Sequence, residues 1–269
     1  MADLARSICE IRLMDDLARK KTVIHGIHPL AKTLATLVYV AVVASFGRYE
    51  VSKLLPLVFY PVVLFSLADL PLGPILKRIM LVEPFVILIG VLNPVFDHHV
   101  FVLGGVAVSR GWVTFLSILI KCSLTVAAAL LLVATTGIDR LAQALRMLGV
   151  SRLLVLQLLL TYRYALLLME EVDRTLRAYS LRAPGQRGVH RRCWGSLAGR
   201  IMLRTLDRAQ RVYHAMCLRG FQGEYNTGDD RRIGAGDLAY VVVWASFFAT
   251  SRLFDIPMLI GSLVVGVIR

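Results

Sequence analysis

The chain has 269 residues, of which 57% are hydrophobic, and its mean hydropathy is +0.67. This apolar content is far above what a soluble domain with one core requires, so composition excludes the ordinary globular classes and predicts a membrane protein. The formal net charge is +13, but because the basic residues cluster beside apolar segments we interpret them as a topology signal and predict no nucleic-acid partner.

Apolar runs that are candidate membrane helices follow one another along the chain. They lie at about 30–46, 54–68, 79–96, 112–135 and 238–268, and the last is long enough for two helices. The N-terminal stretch is charged and lacks the apolar segment of a signal peptide. We therefore expect an all-α, polytopic membrane protein with about five or six transmembrane helices.

The placement of basic residues predicts the orientation of these helices. Basic residues crowd between positions 140 and 232, and Lys77 and Arg78 lie in a short connection, whereas the connection at 97–109 has neither Lys nor Arg. By the positive-inside rule, 97–109 is extracytoplasmic and the N-terminus is cytoplasmic. We expect a multi-pass protein of the cell (inner) membrane.

The basic region has the periodicity of two long helices. Apolar residues recur at helical spacing in both, and arginines occupy the opposite face of the second. The first stripe is Ala165, Leu168, Val172, Leu176 and Tyr179, the second is Met202, Leu206, Ala209, Tyr213 and Met216, and the arginines are Arg200, Arg204, Arg208 and Arg211. We expect the first helix to end at Arg182, because Pro184 disfavours helix at the residue before it, and the second to begin near Trp194 or Ser196.

These patterns divide the chain into three parts. N-terminal membrane helices are expected at 1–135, a cytoplasmic or interfacial region with the two long helices at 136–237, and C-terminal membrane helices at 238–269.

The two long helices end on similar sequences, Ser180-Leu181-Arg182-Ala183 and Cys217-Leu218-Arg219-Gly220. A single arginine in a last helical turn is usually a cap, because it complements the helix dipole and can bond free carbonyls. Repetition of the sequence at two helix ends favours docking on a partner, since the rigid guanidinium fork suits carboxylates and carbonyls. We expect the intervening loop to place the two arginines side by side.

Charged and metal-binding residue types elsewhere have simpler interpretations. Asp97, His98 and His99 lie on the predicted outer connection, but three adjacent residues on one loop seldom complete a metal site, so we assign no metal ligand. Glu83 and Lys121 lie inside predicted spans, where a lone charge is costly, and are expected to pair with each other or to face a neighbouring subunit. The chain has no Gly-Lys dipeptide and hence no P-loop, and we predict no cofactor and no catalytic residue.

Several stretches resemble the CbiQ-type transmembrane (T) subunit of energy-coupling factor transporters, which import cobalt or nickel. These are Thr135–Asp139, Leu145–Val150, Leu160–Tyr164, Glu170-Glu171 and Ala215–Phe221, and the segment 24–32 resembles the His-x-x-Asp-Pro-x-x-Lys start of the family's first span. The chain departs from that pattern in two places. The helix ends have Leu where the family often has Ala, and His28 replaces the usual Asp, which weakens a helix-capping role there.

The resemblance implies a non-catalytic subunit that couples ATP hydrolysis by two ATP-binding cassette ATPases to uptake of cobalt or nickel ions. It implies that the ATPase-docking residues are Leu181, Arg182, Ala183, Leu218, Arg219 and Gly220. The other implied partners are a substrate-capturing, CbiM-like membrane subunit and the lipid bilayer. A T subunit of a vitamin importer is one alternative. A membrane enzyme acting on lipid or isoprenoid phosphates is another, against which the lack of carboxylate clusters argues.

Overall fold

The computed structural model describes residues 17–18, 20, 22, 24–92, 94, 100–103, 106–183, 188–223 and 233–254. These residues form two compact units, a five-helix unit at 17–137 and 233–254 and a three-helix unit at 138–223. A short β-hairpin accompanies the α-helices of the first unit. The all-α class predicted from the sequence is confirmed.

Eight α-helices are present in the described residues. They are α1 (Pro29–Ser45), α2 (Phe59–Ala68), α3 (Leu72–Gly90), α4 (Arg110–Thr136), α5 (Ile138–Met147), α6 (Arg152–Arg182), α7 (Arg191–Leu218) and α8 (Ala235–Leu253), with 3-10 turns at Ile24–Gly26 and Ser52–Val58. The five-helix unit contains α1 to α4 and α8, and the three-helix unit contains α5 to α7.

Two of the described helices are long and apolar enough, by length and composition, to cross a bilayer. They are Gly111–Thr136 in α4 and Arg152–Arg182, which is α6; shorter apolar helices occupy Pro29–Ser45 and Ser52–Ala68. The predicted spans at 30–46 and 112–135 correspond closely to α1 and α4. The third helix differs from its prediction at 79–96, because α3 begins at Leu72 and ends at Gly90.

The core of the five-helix unit is an aromatic cluster contributed by α1, α2 and α8. The Tyr39 and Tyr60 ring centroids lie 4.6 Å apart, and Trp244 meets Tyr60 edge-on at 4.8 Å. Phe248, fully buried, lies 5.3 Å from Tyr39 and 5.2 Å from Tyr60. The Tyr60 hydroxyl hydrogen-bonds Thr36 Oγ1 at 2.9 Å, so its polar end is satisfied inside the apolar core.

Two buried side chains tie the start of α1 to other helices. Lys32 Nζ donates to the carbonyl oxygen of Thr135 at 3.0 Å. Asp237, at the start of α8, accepts a 2.7 Å hydrogen bond from the His28 N–H and a 2.9 Å hydrogen bond from the Gly234 N–H. The carboxylate therefore joins the starts of the first and last described helices.

His28 caps α1, although its replacement of the usual Asp was expected to weaken a capping role at this position. Its Nδ1 accepts the Leu30 N–H at 3.2 Å, and Pro29 occupies the first helical turn, where no donor is needed. The imidazole nitrogen replaces the acceptor oxygen that an aspartate would offer.

The expected pairing of Glu83 with Lys121 is wrong, since the described residues contain no ion pair between them. Lys121 Nζ instead donates to the carbonyl oxygens of Phe46 at 2.7 Å and Gly47 at 3.1 Å. These carbonyls follow the end of α1, where backbone acceptors lack a partner within the helix. The Lys121 ammonium group therefore has its hydrogen-bond partners at the end of α1 and not on α3.

The connection that follows α1 also contains a small cluster of ion pairs. Glu50 pairs with Lys53 at 2.9 Å and with Arg252 of α8 at 3.7 Å. The hydrogen bond from Lys53, followed by that from the Gly47 N–H, holds the pKa of Glu50 below its usual range. Arg252 also lies 4.8 Å from the ring centroid of Phe46. The connection after α1 is thereby joined to the end of α8.

A β-hairpin precedes α4, where the sequence predicted only a connection. Strand β1 (Val100–Leu103) pairs antiparallel with β2 (Val106–Ser109). Asp97, His98 and His99 lie outside the described residues. Within the described part of the chain, no group of three or more His, Cys, Asp or Glu side chains is placed to hold a metal ion.

In the three-helix unit, α5 packs on α6, and α6 ends at Arg182 as predicted. The next helix, α7, begins at Arg191, three residues before the earlier of its two expected starts, Trp194 and Ser196. His190 is the reason: its Nδ1 accepts the Arg192 N–H at 3.4 Å and caps the helix earlier.

Candidate partner-docking site

The first candidate docking sequence, Leu181, Arg182 and Ala183, is named here the first tip. Arg182 is the last residue of α6, and the Ala183 N–H bonds the Tyr179 carbonyl at 3.1 Å before the chain leaves helical geometry. The Tyr179 hydroxyl also accepts the His190 N–H at 3.4 Å. Leu181 is 83% exposed, so the first tip presents a leucine and an arginine outward from a braced helix end.

The second tip, Leu218, Arg219 and Gly220, ends α7 in a different way. Gly220 has φ +76°, its N–H bonds the Cys217 carbonyl, and the next N–H, of Phe221, bonds Met216. This is a Schellman motif, which places glycine in the left-handed region because other residues are strained there. Leu218 is 90% exposed. Both tips therefore display the same pair of side chains from differently built ends.

The arginines of the tips are exposed, and neither guanidinium has a hydrogen bond or ion pair among the described residues. At the second tip the backbone already satisfies the last carbonyls of the helix. Arg219 is therefore available to a partner while still lying at the negative end of the α7 dipole.

The two tips do not lie side by side, contrary to the sequence-based expectation. α6 and α7 are antiparallel: Tyr179 near the end of α6 bonds His190 at the start of α7, and Glu171 pairs with Arg204 further along. Because α7 has 28 residues at about 1.5 Å each, the tips are on the order of 40 Å apart. Two helix C-termini of an antiparallel pair necessarily lie at opposite ends.

Beyond the Glu171–Arg204 pair, α6 and α7 enclose a groove of about 550 Å³ with almost entirely apolar walls. The lining residues from α6 are Leu153, Leu156, Leu160, Thr161, Tyr164, Leu167, Leu168 and Glu171; those from α7 and beyond are Arg204, Thr205, Arg208, Ala209, Val212, Tyr213, Met216, Phe221 and Gly223. We call it the α6–α7 groove.

The apolar stripe of α6 is half-buried as predicted, but the stripe of α7 is only partly so. Met202, Leu206 and Tyr213 are exposed, whereas Ile201 and Val212 are half-buried. Periodicity located the apolar arc of α7 correctly. It did not show that α6 covers one edge of that arc.

The link between the long helices was not predicted from the sequence. Glu171 Oε1 accepts a hydrogen bond from Arg204, and Glu171 lies 3.9 Å from Arg174. Arg204 was assigned to the solvent face of α7. The adjacent Glu170 and Glu171 of α6, followed in sequence by an arginine-rich helix, are the sequence signal for this ion pair.

By length and composition, Gly111–Thr136 and Arg152–Arg182 are the helices expected of a helical membrane protein. Residues 20–228 match the family model of CbiQ, described as a cobalt transport protein, and the chain therefore belongs to that family. An uncharacterized protein of Methanocaldococcus jannaschii is 24% identical over 206 residues, covering 72% of this chain and 70% of the relative. Both tips lie inside the residues matched to the family.

Proposed function

We propose that this chain is the non-catalytic T subunit of an ATP-driven importer of the energy-coupling factor type, which takes up cobalt or nickel ions. Its partners are two ATP-binding cassette ATPases and a substrate-capturing, CbiM-like membrane subunit. It is a multi-pass protein of the inner membrane with a cytoplasmic N-terminus. The family match supports cobalt transport. The proposal adds the role of each subunit.

The observation that carries this proposal is the pair of exposed Leu-Arg tips at opposite ends of one antiparallel helix pair. A leucine that is 83% or 90% exposed at a helix end contributes nothing to the core of the chain. Beside an unpaired guanidinium it suits a groove with an apolar floor and an acidic rim. A separation on the order of 40 Å suits two copies of a partner, each holding one tip.

The mechanical role follows from the connection between the tips. When the ATPases close on ATP and reopen after hydrolysis, each carries its tip with it. Glu171 and Arg204 join α6 and α7 between the tips, so displacement of either tip is transmitted to the other helix. The chain converts ATPase closure into movement of helices that contact the membrane subunits.

Charge reversal at the tips tests the proposal. Arg182→Glu and Arg219→Glu should each weaken capture of a co-expressed ATPase pair by about 100-fold, because reversal in a desolvated groove costs roughly 3 kcal/mol or more. A solvated cap loses only about 1 kcal/mol of dipole energy. The measurement is ATPase retention on the affinity-purified chain, together with cobalt uptake.

Arg200→Glu and Arg211→Glu are the matched controls, since both arginines are exposed on α7 away from the tips. Arg204 and Arg208 are unsuitable, because the first pairs with Glu171 and both line the α6–α7 groove. Full ATPase retention by both tip variants, or equal loss in the controls, contradicts the docking role.

A further inference from the structure

The α6–α7 groove has the polarity of a site for an amphiphile, because its charged residues are confined to one end. Since α6 and α7 are antiparallel, Glu171, Arg204 and Arg208 lie together at that end. The remainder of the groove, toward Leu153 of α6 and Phe221 beyond α7, is lined by apolar or uncharged side chains. A groove of this kind suits a ligand with an anionic head and a hydrocarbon tail.

We propose that the α6–α7 groove binds one anionic phospholipid of the surrounding bilayer, with the phosphate at Arg208 and one acyl chain along the leucines of α6. Arg204 is paired with Glu171, whereas Arg208 is exposed and has no ion pair among the described residues. Two cations and one carboxylate leave the charged end of the groove positive. Basic pockets between helices of membrane proteins bind acidic lipid headgroups for this reason.

The surface of α6 is the kind that hydrocarbon stabilises. This helix is apolar enough, by length and composition, to cross a bilayer. Within α6, all of which the structure describes, Leu159 is the only buried residue. Leu153, which lines the groove, is 71% exposed, and Leu154 beside it is 58% exposed. A contiguous apolar surface of this kind marks a site of contact with a membrane or a partner.

The sizes of the side chains favour an acyl chain over a helix of another subunit. Helices that pack on each other within a membrane approach closely through small residues such as Gly, Ala and Ser. Among the described residues that line the α6 side of the groove there is no Gly, Ala or Ser, and most are leucines, such as Leu156, Leu160 and Leu167. A flexible acyl chain adapts to this uneven wall, whereas a rigid helix is held away from it.

The dimensions of the groove fit a single lipid. From Leu153 to Glu171 it follows α6 for about 27 Å. One leaflet of a bilayer, with its headgroups, is about 20 Å thick. The volume of about 550 Å³ is also within the range of sites that bind small molecules. The headgroup and one extended chain can therefore occupy the groove together.

The inference does not depend on ATPase docking, because neither tip lines the groove. Loss of lipid binding and loss of ATPase retention can therefore be observed separately.

Photo-cross-linking of the full chain in detergent tests the proposal. The probe is phosphatidylglycerol with a diazirine near the end of one acyl chain, and phosphatidylcholine with the same group is the zwitterionic comparison. Mass spectrometry of the labelled peptides locates the site. We expect phosphatidylglycerol to label the groove at least about tenfold more than phosphatidylcholine does, because only the first has a net negative charge. Equal labelling by the two probes overturns the proposal.

Two variants test the two ends of the site. Arg208→Glu should reduce labelling by phosphatidylglycerol at least about tenfold, because it repels the phosphate. Ala209→Trp should reduce labelling by a similar factor, because the indole fills the groove. Both residues are exposed, so neither change disturbs a packed core. The matched controls are Arg200→Glu and Ala198→Trp, which are exposed on α7 outside the groove and should label normally.

Three outcomes contradict the proposal. Undiminished labelling of both groove variants, or an equal loss in the controls, shows that the lipid binds elsewhere. Labelling that is present in the isolated chain but lost in the complex with its partner subunits shows that a protein occupies the groove.

Discussion

Gly220 determines the direction in which the second tip points. With φ +76° it reverses the chain directly after Arg219, and the hydrogen bonds of Gly220 and Phe221 close the end of α7. The exposure of Leu218 and Arg219 depends on this sharp ending, because a continued helix would extend past them.

Gly220→Ala should destabilise the protein, whereas Gly199→Ala should stabilise it slightly. The left-handed conformation costs a side-chain-bearing residue about 1 kcal/mol or more. Gly199 lies in the interior of α7 with open space where its Cβ would be, and alanine there improves helix propensity by up to about 1 kcal/mol. Thermal unfolding of the two purified variants gives the comparison. Shifts of the same sign contradict the assigned ending of α7.

Single residues also show where sequence reasoning failed. A histidine was expected to be a poor substitute for aspartate at position 28, yet its ring nitrogen accepts the same kind of backbone donor. Lys121 was expected to pair with the Glu83 carboxylate or to face a neighbouring subunit, but it donates hydrogen bonds to two backbone carbonyls. In both cases the partner is backbone, which residue identity does not reveal.

At the scale of elements, Asp237 joins the start of α8 to the start of α1. Its two oxygens each accept a backbone N–H, one from His28 and one from Gly234. The apolar faces of α1 and α8 share the aromatic core, so the carboxylate fixes the contact of two helices that are distant in sequence.

The Asp237→Asn variant should therefore be less stable than the unaltered protein, and the Asp237→Ala variant should be less stable again. Asparagine keeps one acceptor oxygen and alanine keeps none, and each buried N–H left unsatisfied costs about 1–3 kcal/mol. Thermal unfolding in detergent measures the series. Asp207→Ala, on the exposed surface of α7, is the control and should change little. Equal stability of the asparagine and alanine variants would show that the two hydrogen bonds do not act separately.

The α7 helix illustrates what periodicity leaves open. Spacing predicted an apolar arc with arginines opposite, but Arg204 pairs with Glu171 of α6 and Arg208 lines the α6–α7 groove, so part of the arginine face is turned toward α6. A helix of this kind has more apolar surface than one neighbour covers. The neighbour, and not the pattern, selects the buried edge.

At the scale of the whole molecule, the proposed topology places the hairpin and the tips on opposite sides of the membrane. In intact cells, a membrane-impermeant maleimide should label His99→Cys, whereas Gly185→Cys, between α6 and α7, should react only after permeabilisation. The physical reason is the concentration of basic residues between positions 140 and 232. Labelling of Gly185→Cys from outside would reverse the orientation and remove the tips from the ATPases.

The sequence by itself determined the membrane class, the all-α fold, the end of α6 at Arg182 and the helix-terminal position of both arginines. These properties are local, since they follow from composition, a period of 3.6 residues and a proline or glycine at a helix end. Only the tertiary structure decided that the tips lie at opposite ends of an antiparallel pair, that Glu171 meets Arg204 and that Asp237 meets His28. Those contacts depend on helix packing between distant residues, and helix packing is not contained in any local pattern.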